Sequence, residues 1–134
     1  MDIGPRTREN RRTMSSGILV VEDEDGLREL LVEHLVELGY RVTAAASAEA
    51  ALLAAEQDPP DLVLTDVHMG AMSGIELCKR LKTDPRFQLT PVIILTALSE
   101  LQERVAGLAA GADDFFGKPF DFLEVGTRIA ALLR

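Results

Sequence analysis

Leu62-Val63-Leu64-Thr65-Asp66 ends an apolar run in a lone carboxylate, and three other segments repeat the device. Ile18-Leu19-Val20-Val21 runs into Glu22-Asp23, Pro91-Val92-Ile93-Ile94-Leu95 into Thr96, and Asp114-Phe115-Phe116-Gly117 into Lys118-Pro119. Short, unbroken runs of Val, Ile and Leu read as strands covered on both faces of a parallel sheet. Open parallel sheets bind their ligands just beyond the carboxyl ends of the strands. Acids, a hydroxyl and an ammonium at four such ends predict an oxygen-rich cation site beside one carboxylate, with a lysine opposite.

Helix-like segments fill the spaces between these runs. Leu27, Leu30, Leu31, Leu35 and Leu38 recur at helical spacing, with Asp25 as the expected N-cap and Gly39 as the stop. Arg41-Val42-Thr43-Ala44 reads as a short second strand, followed by an Ala-rich helix from the Ser47 cap to about Gln57, ended by Pro59-Pro60. Small residues from His68 to Gly74 form a loop, and the next helix turns Ile75, Cys78 and Leu81 inward. Ser99 caps a helix expected to bury Leu101, Val105 and Leu108 before Gly111, and a last helix presents Phe122, Val125, Ile129, Leu132 and Leu133. Strict β-α alternation predicts a doubly wound α/β sandwich with right-handed crossovers and helices on both faces.

A chain of 134 residues with 47% hydrophobic content has room for one domain with a core. No apolar stretch approaches the roughly 20 residues of a membrane span, and the Arg-rich start lacks the apolar centre of a secretory signal. The single cysteine excludes an internal disulfide and fits a reducing, cytoplasmic setting. Residues 1–16 read as a disordered basic leader or cloning remnant, and residues 17–134 as the folded domain. The leader's net +2 leaves −10 on the rest of a chain whose total is −8. A body this acidic repels a nucleic-acid backbone, so no direct DNA contact is expected.

Four acids, Glu22-Asp23-Glu24-Asp25, follow the first buried run. A helix start welcomes carboxylates, which accounts for Glu24 and Asp25. Glu22 and Asp23 instead face the crevice at the sheet edge, toward Asp66. Ionised carboxylates crowd together at a cost unless a cation neutralises them. Oxygen-only ligands with open positions suit Mg²⁺, with Mn²⁺ as a substitute. Asp66, held at a strand end, is then a candidate nucleophile that accepts a phosphoryl group. Phosphoryl transfer asks mainly for positioning and charge neutralisation, which Lys118 and the Thr96 hydroxyl can supply.

From Gly17 to Arg134 the chain resembles the receiver domain of bacterial two-component response regulators. The resemblance is carried by Val20-Val21-Glu22-Asp23-Glu24, Leu64-Thr65-Asp66-Val67-His68-Met69, Ile94-Leu95-Thr96-Ala97 and Gly111-Ala112-Asp113-Asp114-Phe115-Phe116-Gly117-Lys118-Pro119-Phe120. It implies a flavodoxin-like (βα)5 fold with a five-stranded parallel sheet in the order 2-1-3-4-5. Asp66 is by this likeness the phospho-acceptor, charged by the phosphohistidine of a sensor histidine kinase. Glu22, Asp23, Asp66 and the backbone carbonyl of His68 form the metal set, Lys118 binds the phosphoryl group, and Thr96 and Phe115 are the switch pair. The Lys118-Pro119 bond is expected to be cis. Self-phosphorylation and self-dephosphorylation are the only chemistry expected, which makes the chain a signalling domain rather than an enzyme. The likeness is greatest to receivers of winged-helix transcription factors, which implies a phosphorylation-dependent homodimer through Glu103, Arg104, Asp113, Asp114 and Arg128.

Two positions depart from the family pattern: Gly70 stands where a proline is usual, and Gly117 where a bulkier residue precedes the lysine. Outside the site, His34 reads as a structural histidine and Cys78 as a packed small hydrophobe, while Met69 and Met72 suit partner contacts and gap-filling equally. Three rival functions share parts of this pattern. A pseudo-receiver, an interaction module that is never phosphorylated, shares the fold but has no need of intact Asp23, Asp66, Thr96 and Lys118. A phosphohydrolase of the haloacid dehalogenase type wants a second Asp where His68 stands. A dinucleotide-binding domain wants a Gly-rich turn where Glu22-Asp23-Glu24-Asp25 would repel a pyrophosphate.

Overall fold

The computed structural model describes residues 16–97 and 101–134. The expected leader lies outside these except for Ser16, which is buried and whose carbonyl accepts the Arg41 N–H at 3.0 Å. The Ser99 cap and the side chain of Leu101 also lie outside the described parts.

Strands and helices alternate along the chain. They are β1 (Gly17–Val21), α1 (Asp25–Glu37), β2 (Arg41–Ala45), α2 (Ala48–Gln57), β3 (Leu62–Asp66), α3 (Gly74–Thr83), β4 (Val92–Ala97), α4 (Leu101–Ala109), β5 (Asp114–Lys118) and α5 (Phe122–Leu133). All strand pairs are parallel, in the order β2-β1-β3-β4-β5. β1 and β3 are buried throughout, as their unbroken apolar runs require. Side chains alternate across the sheet and divide the core in two. Ile18, Val20, Leu62, Leu64, Ile93 and Leu95 pack against Leu31 and Leu35 of α1 and Val125, Ile129 and Leu133 of α5. Leu19, Val21, Val63, Val92 and Ile94 face α2, α3 and α4, where the covering side chains include Ala48, Ala51, Ala55, Leu77, Cys78 and Leu81.

Among the described residues, several helix ends follow local chemistry and the start of α1 departs from it. The Ser47 and Ser73 hydroxyls accept from Ala50 N and Glu76 N, both at 3.1 Å. Gly39 and Gly111, the expected stops, both lie at φ +99. In α1 the N-cap is Glu24, without a side-chain cap bond. Asp25, expected to cap, is instead the first helical residue, and its carboxylate takes Arg28 at 2.6 Å.

Two apolar stripes turn differently from expectation. In α1, Leu31 and Leu35 are buried and Leu27 partly so, while Leu30 and Leu38 are about half exposed, at 53% and 48%. In α4 the stripe is reversed: Val105 and Leu108 are 59% and 62% exposed, and Gly107 is the buried residue among the described ones. A side chain at Gly107 would drive its Cβ into the Phe115 ring and to 3.2 Å from Ile94 Cδ1. The helix therefore approaches the sheet along Glu103, Gly107 and Ala110, a row at i, i+4 and i+7, and its larger apolar residues point away.

Candidate functional site

Parallel pairing brings the carboxyl ends of β1, β3, β4 and β5 to one rim. Val21 pairs with Thr65 and Asp66 with Leu95, so Glu22 and Thr96 each stand one residue beyond a partner of the β3 end. Ala97 pairs with Lys118 across the next gap. The Lys118-Pro119 bond is cis. Lys118 Nζ donates to Asp66 Oδ2 at 2.9 Å and lies 3.6 Å from Glu22 Oε1. The other oxygen of Asp66, Oδ1, accepts the Val67 N–H at 2.8 Å. Four residues from three separate runs, Glu22, Asp23, Asp66 and Lys118, thus share one small volume.

Oxygen atoms of Glu22, Asp23 and Asp66 all lie within 4.8 Å of one another. Glu22 is 1% exposed and Asp66 7%. Burial lifts the Glu22 carboxyl above its ordinary range; the Glu24 N–H opposes this, the Asp66 charge adds to it, and Lys118 pulls back. For Lys118, burial works to lower the ammonium, but the Asp66 and Glu22 carboxylates outweigh it and the net direction is up. Three carboxylates thus stand beside one lysine, an excess of negative charge.

A hard divalent cation fits this donor set. Glu22 Oε2 accepts the Glu24 N–H at 3.0 Å, but buried Glu22 Oε1 has no hydrogen-bond partner among the described residues. At 3.6 Å Lys118 is near enough for ionic attraction and too far for a hydrogen bond. A buried carboxylate oxygen left in that condition is costly, and a cation among the three carboxylates would remove the cost. Oxygen donors alone select Mg²⁺ or Mn²⁺ over thiophilic metals.

Two further elements bound the site. Gly74 opens α3, and its N–H donates to Val67 O at 2.8 Å. A Cβ there would collide with the Asp66 carbonyl oxygen and lie 2.9 Å from the Asp66 carbonyl carbon and 3.0 Å from Thr65 Oγ1. Within the intervening loop Gly70 sits at φ +75, a conformation closed to the proline that the family pattern would place there. Gly70 therefore gives the loop its own turn geometry.

On the β4 side the buried Thr96 hydroxyl donates to Glu103 Oε1 at 2.9 Å, and Glu103 Oε2 lies 2.6 Å from His68 Nε2. Phe115 is half-buried against Gly107, with the Arg104 guanidinium 5.9 Å from its ring centroid. Of the residues grouped as a dimer face, Glu103 therefore turns toward the site and away from the outer surface. Asp114 pairs with Arg128 at 2.6 Å and Asp113 with Lys82 at 2.9 Å, both within the chain. Sequence reasoning missed the inward role of Glu103 and the close approach at Gly74. Spacing held a signal for the first: Glu103 stands four residues before Gly107, on the same helical stripe.

Comparison with known proteins points to one family. A family model described as the response regulator receiver domain matches residues 18–130. The alkaline phosphatase synthesis transcriptional regulatory protein PhoP of Bacillus subtilis is 42% identical over 90% of this chain and 50% of its own length. The phosphate regulon transcriptional regulatory protein PhoB of Rhizobium meliloti is 43% identical over 87% of this chain and 52% of its own. The chain thus spans about half the length of these relatives. The high-resolution structure of the chemotaxis response regulator CheY4 of Vibrio cholerae superposes with a TM-score of 0.82 at 27% identity, covering 88% of this chain and 98% of that one. With the sheet order, the acid-lysine rim and these matches in agreement, the chain belongs to the receiver domain family of two-component response regulators.

Proposed function

We propose that this receiver domain accepts a phosphoryl group on Asp66 from the phosphohistidine of a sensor histidine kinase and thereby switches a binding surface. The observation that carries the reading is the meeting of Lys118 Nζ with Asp66 Oδ2 at 2.9 Å beside the three-carboxylate cluster. An Asp66 oxygen attacks phosphorus, the P–N bond breaks, and its electron pair returns to the imidazole of the kinase. Lys118 neutralises charge on the incoming phosphoryl oxygens, and the Val67 N–H keeps the carboxylate in its orientation. Glu22, Asp23, Asp66 and the His68 backbone carbonyl would hold Mg²⁺ or Mn²⁺. When bound, the cation neutralises the carboxylates and part of the phosphoryl charge.

Thr96 then turns its hydroxyl toward the phosphoryl oxygens, and Phe115 follows into the space vacated, a local event with a two-state readout. The same site returns Asp66 to the free carboxylate by hydrolysis. Incubation with acetyl phosphate and Mg²⁺ followed by intact-mass measurement tests the reading. A single phosphoryl adduct is expected in the wild type and none in Asp66→Ala; a folded wild type without an adduct would favour the pseudo-receiver.

The surface that responds is the α4-β5-α5 face. Val105 and Leu108 of α4 stand exposed, and Asp114 of β5 pairs with Arg128 of α5 on the same three elements. An apolar patch rimmed by charge suits a second copy of the same chain. Sedimentation with and without beryllofluoride tests this, and an unchanged monomer refutes it.

A further inference from the structure

A threonine hydroxyl has one proton to donate, and Thr96 gives its proton to Glu103 at 2.9 Å. The bond is sheltered, since Thr96 is 2% exposed and the Glu103 side chain 18%. A sheltered hydrogen bond to a charged acceptor is among the stronger kinds, because little water competes for either partner. His68 takes the second carboxylate oxygen at 2.6 Å, which fixes the orientation of the carboxylate. Glu103 thus ties α4 to two places that flank Asp66: the end of β4 and the loop leaving β3.

We propose that Glu103 is a positioning residue that holds the domain at rest by withholding the Thr96 hydroxyl from the phosphoryl group. The inference rests on Asp66 as phospho-acceptor. Thr96 stands one residue beyond Leu95, the register partner of Asp66, so its hydroxyl sits at the β4 end of the same rim. That hydroxyl serves Glu103 or an oxyanion on Asp66, never both. Engaging the phosphoryl group therefore costs the Glu103 bond, and breaking it removes one tie between α4 and the sheet. The same carboxylate sets how tightly the domain holds a phosphoryl group and how firmly α4 is docked without one. Glu103 touches no reacting atom and acts only through Thr96.

Beryllofluoride with Mg²⁺, a phosphoryl mimic, gives the test by fluorine NMR titration at fixed pH. Glu103→Ala is expected to bind it about tenfold more tightly than the wild type, in keeping with the worth of a charged hydrogen bond. Glu103→Gln, whose amide oxygen still accepts the hydroxyl but more weakly, is expected to gain roughly two- to threefold. In a Thr96→Ala background both gains shrink to less than about twofold, the non-additivity that marks coupled residues. Thermal melting without the mimic checks that each variant is folded, and if Glu103→Ala is unfolded, Glu103→Gln alone decides.

Affinity unchanged or weakened by the Glu103 substitutions overturns the proposal. So does a gain of equal size in the absence of Thr96. A wild type that binds no beryllofluoride, or binds it equally after Asp66→Ala, overturns the phospho-acceptor reading and the latch with it.

Discussion

Two lysine-carboxylate pairs sit at opposite ends of the sheet, built from the same chemical groups and finished differently. At the amino end, Lys82 Nζ donates to Asp113 Oδ2 at 2.9 Å and to the Thr90 carbonyl at 2.7 Å, while the Val92 N–H donates to the same Asp113 oxygen at 2.8 Å. Each group there has a partner from the chain. At the carboxyl end, Lys118 meets Asp66 at 2.9 Å amid two further carboxylates, and Glu22 Oε1 is left without a hydrogen bond among the described residues. The first pair is closed and clips α3 to the ends of β4 and β5. The second is open, and its unmatched carboxylates suit a divalent cation. Completeness of hydrogen bonding, more than residue type, separates structure from function here.

Substitutions that finish the open pair or undo the closed one sharpen this contrast. Glu22→Gln removes the uncompensated charge. Mg²⁺ affinity should fall by about 30-fold, or about 2 kcal/mol, while the metal-free protein unfolds at the same or a higher urea concentration. A loss of stability without loss of affinity would place Glu22 among the structural groups. Asp113→Ala should do the reverse. Stripping Lys82 and Val92 N–H of a partner should cost about 1–2 kcal/mol in urea unfolding, with phosphoryl incorporation from acetyl phosphate intact.

Adding Mg²⁺ at about five times its Kd should stabilise the wild type by about 1 kcal/mol, a rise of a few degrees in Tm. Asp23→Ala should abolish that rise and leave the closed pair untouched. The smallest effect concerns Cys78, beside the closed pair, whose thiol is pushed up to about 11 by burial, with Lys82 and Asp113 acting in opposite directions. A folded-state value raised above the ordinary 9.0 disfavours the thiolate. The resulting stability is complete at lower pH and is lost as pH climbs from about 9 toward 11. At pH 9 the wild type should have lost about 0.4 kcal/mol relative to Cys78→Ala, compared with their difference at pH 7. Parallel pH profiles for the two proteins would refute the assignment.

Most of the fold was legible in the chain because the strands are short, apolar on both faces and end in chemistry. The runs ending in Glu22, Asp66, Thr96 and Lys118 announce both the sheet and the rim, and Ser47, Gly39 and Gly111 mark helix ends through local rules that need no tertiary information. Legibility failed where glycine does the packing. Gly107 contributes nothing to a hydrophobic pattern, so Val105 and Leu108 draw the eye to the wrong side of α4. The inner face of that helix is polar and small, and Glu103 belongs to it. Leu30 and Leu38 mislead for a related reason: single apolar residues stand exposed at little penalty, so a leucine count overstates the width of the buried stripe. Asp25 suits a cap chemically, but Arg28 claims its carboxylate once the helix has formed.

Gly74 bears no functional group, yet the carbonyl of Asp66 rests where its β-carbon would be. Saturation mutagenesis of that codon should return a single viable amino acid, a sharper intolerance than expected at Glu103 or even Glu22. Surveys that rank residues by their reactive atoms would pass over the position. The aim of the Asp66 carboxylate is guarded by a missing methyl, and the smallest side chain to intrude would misdirect it.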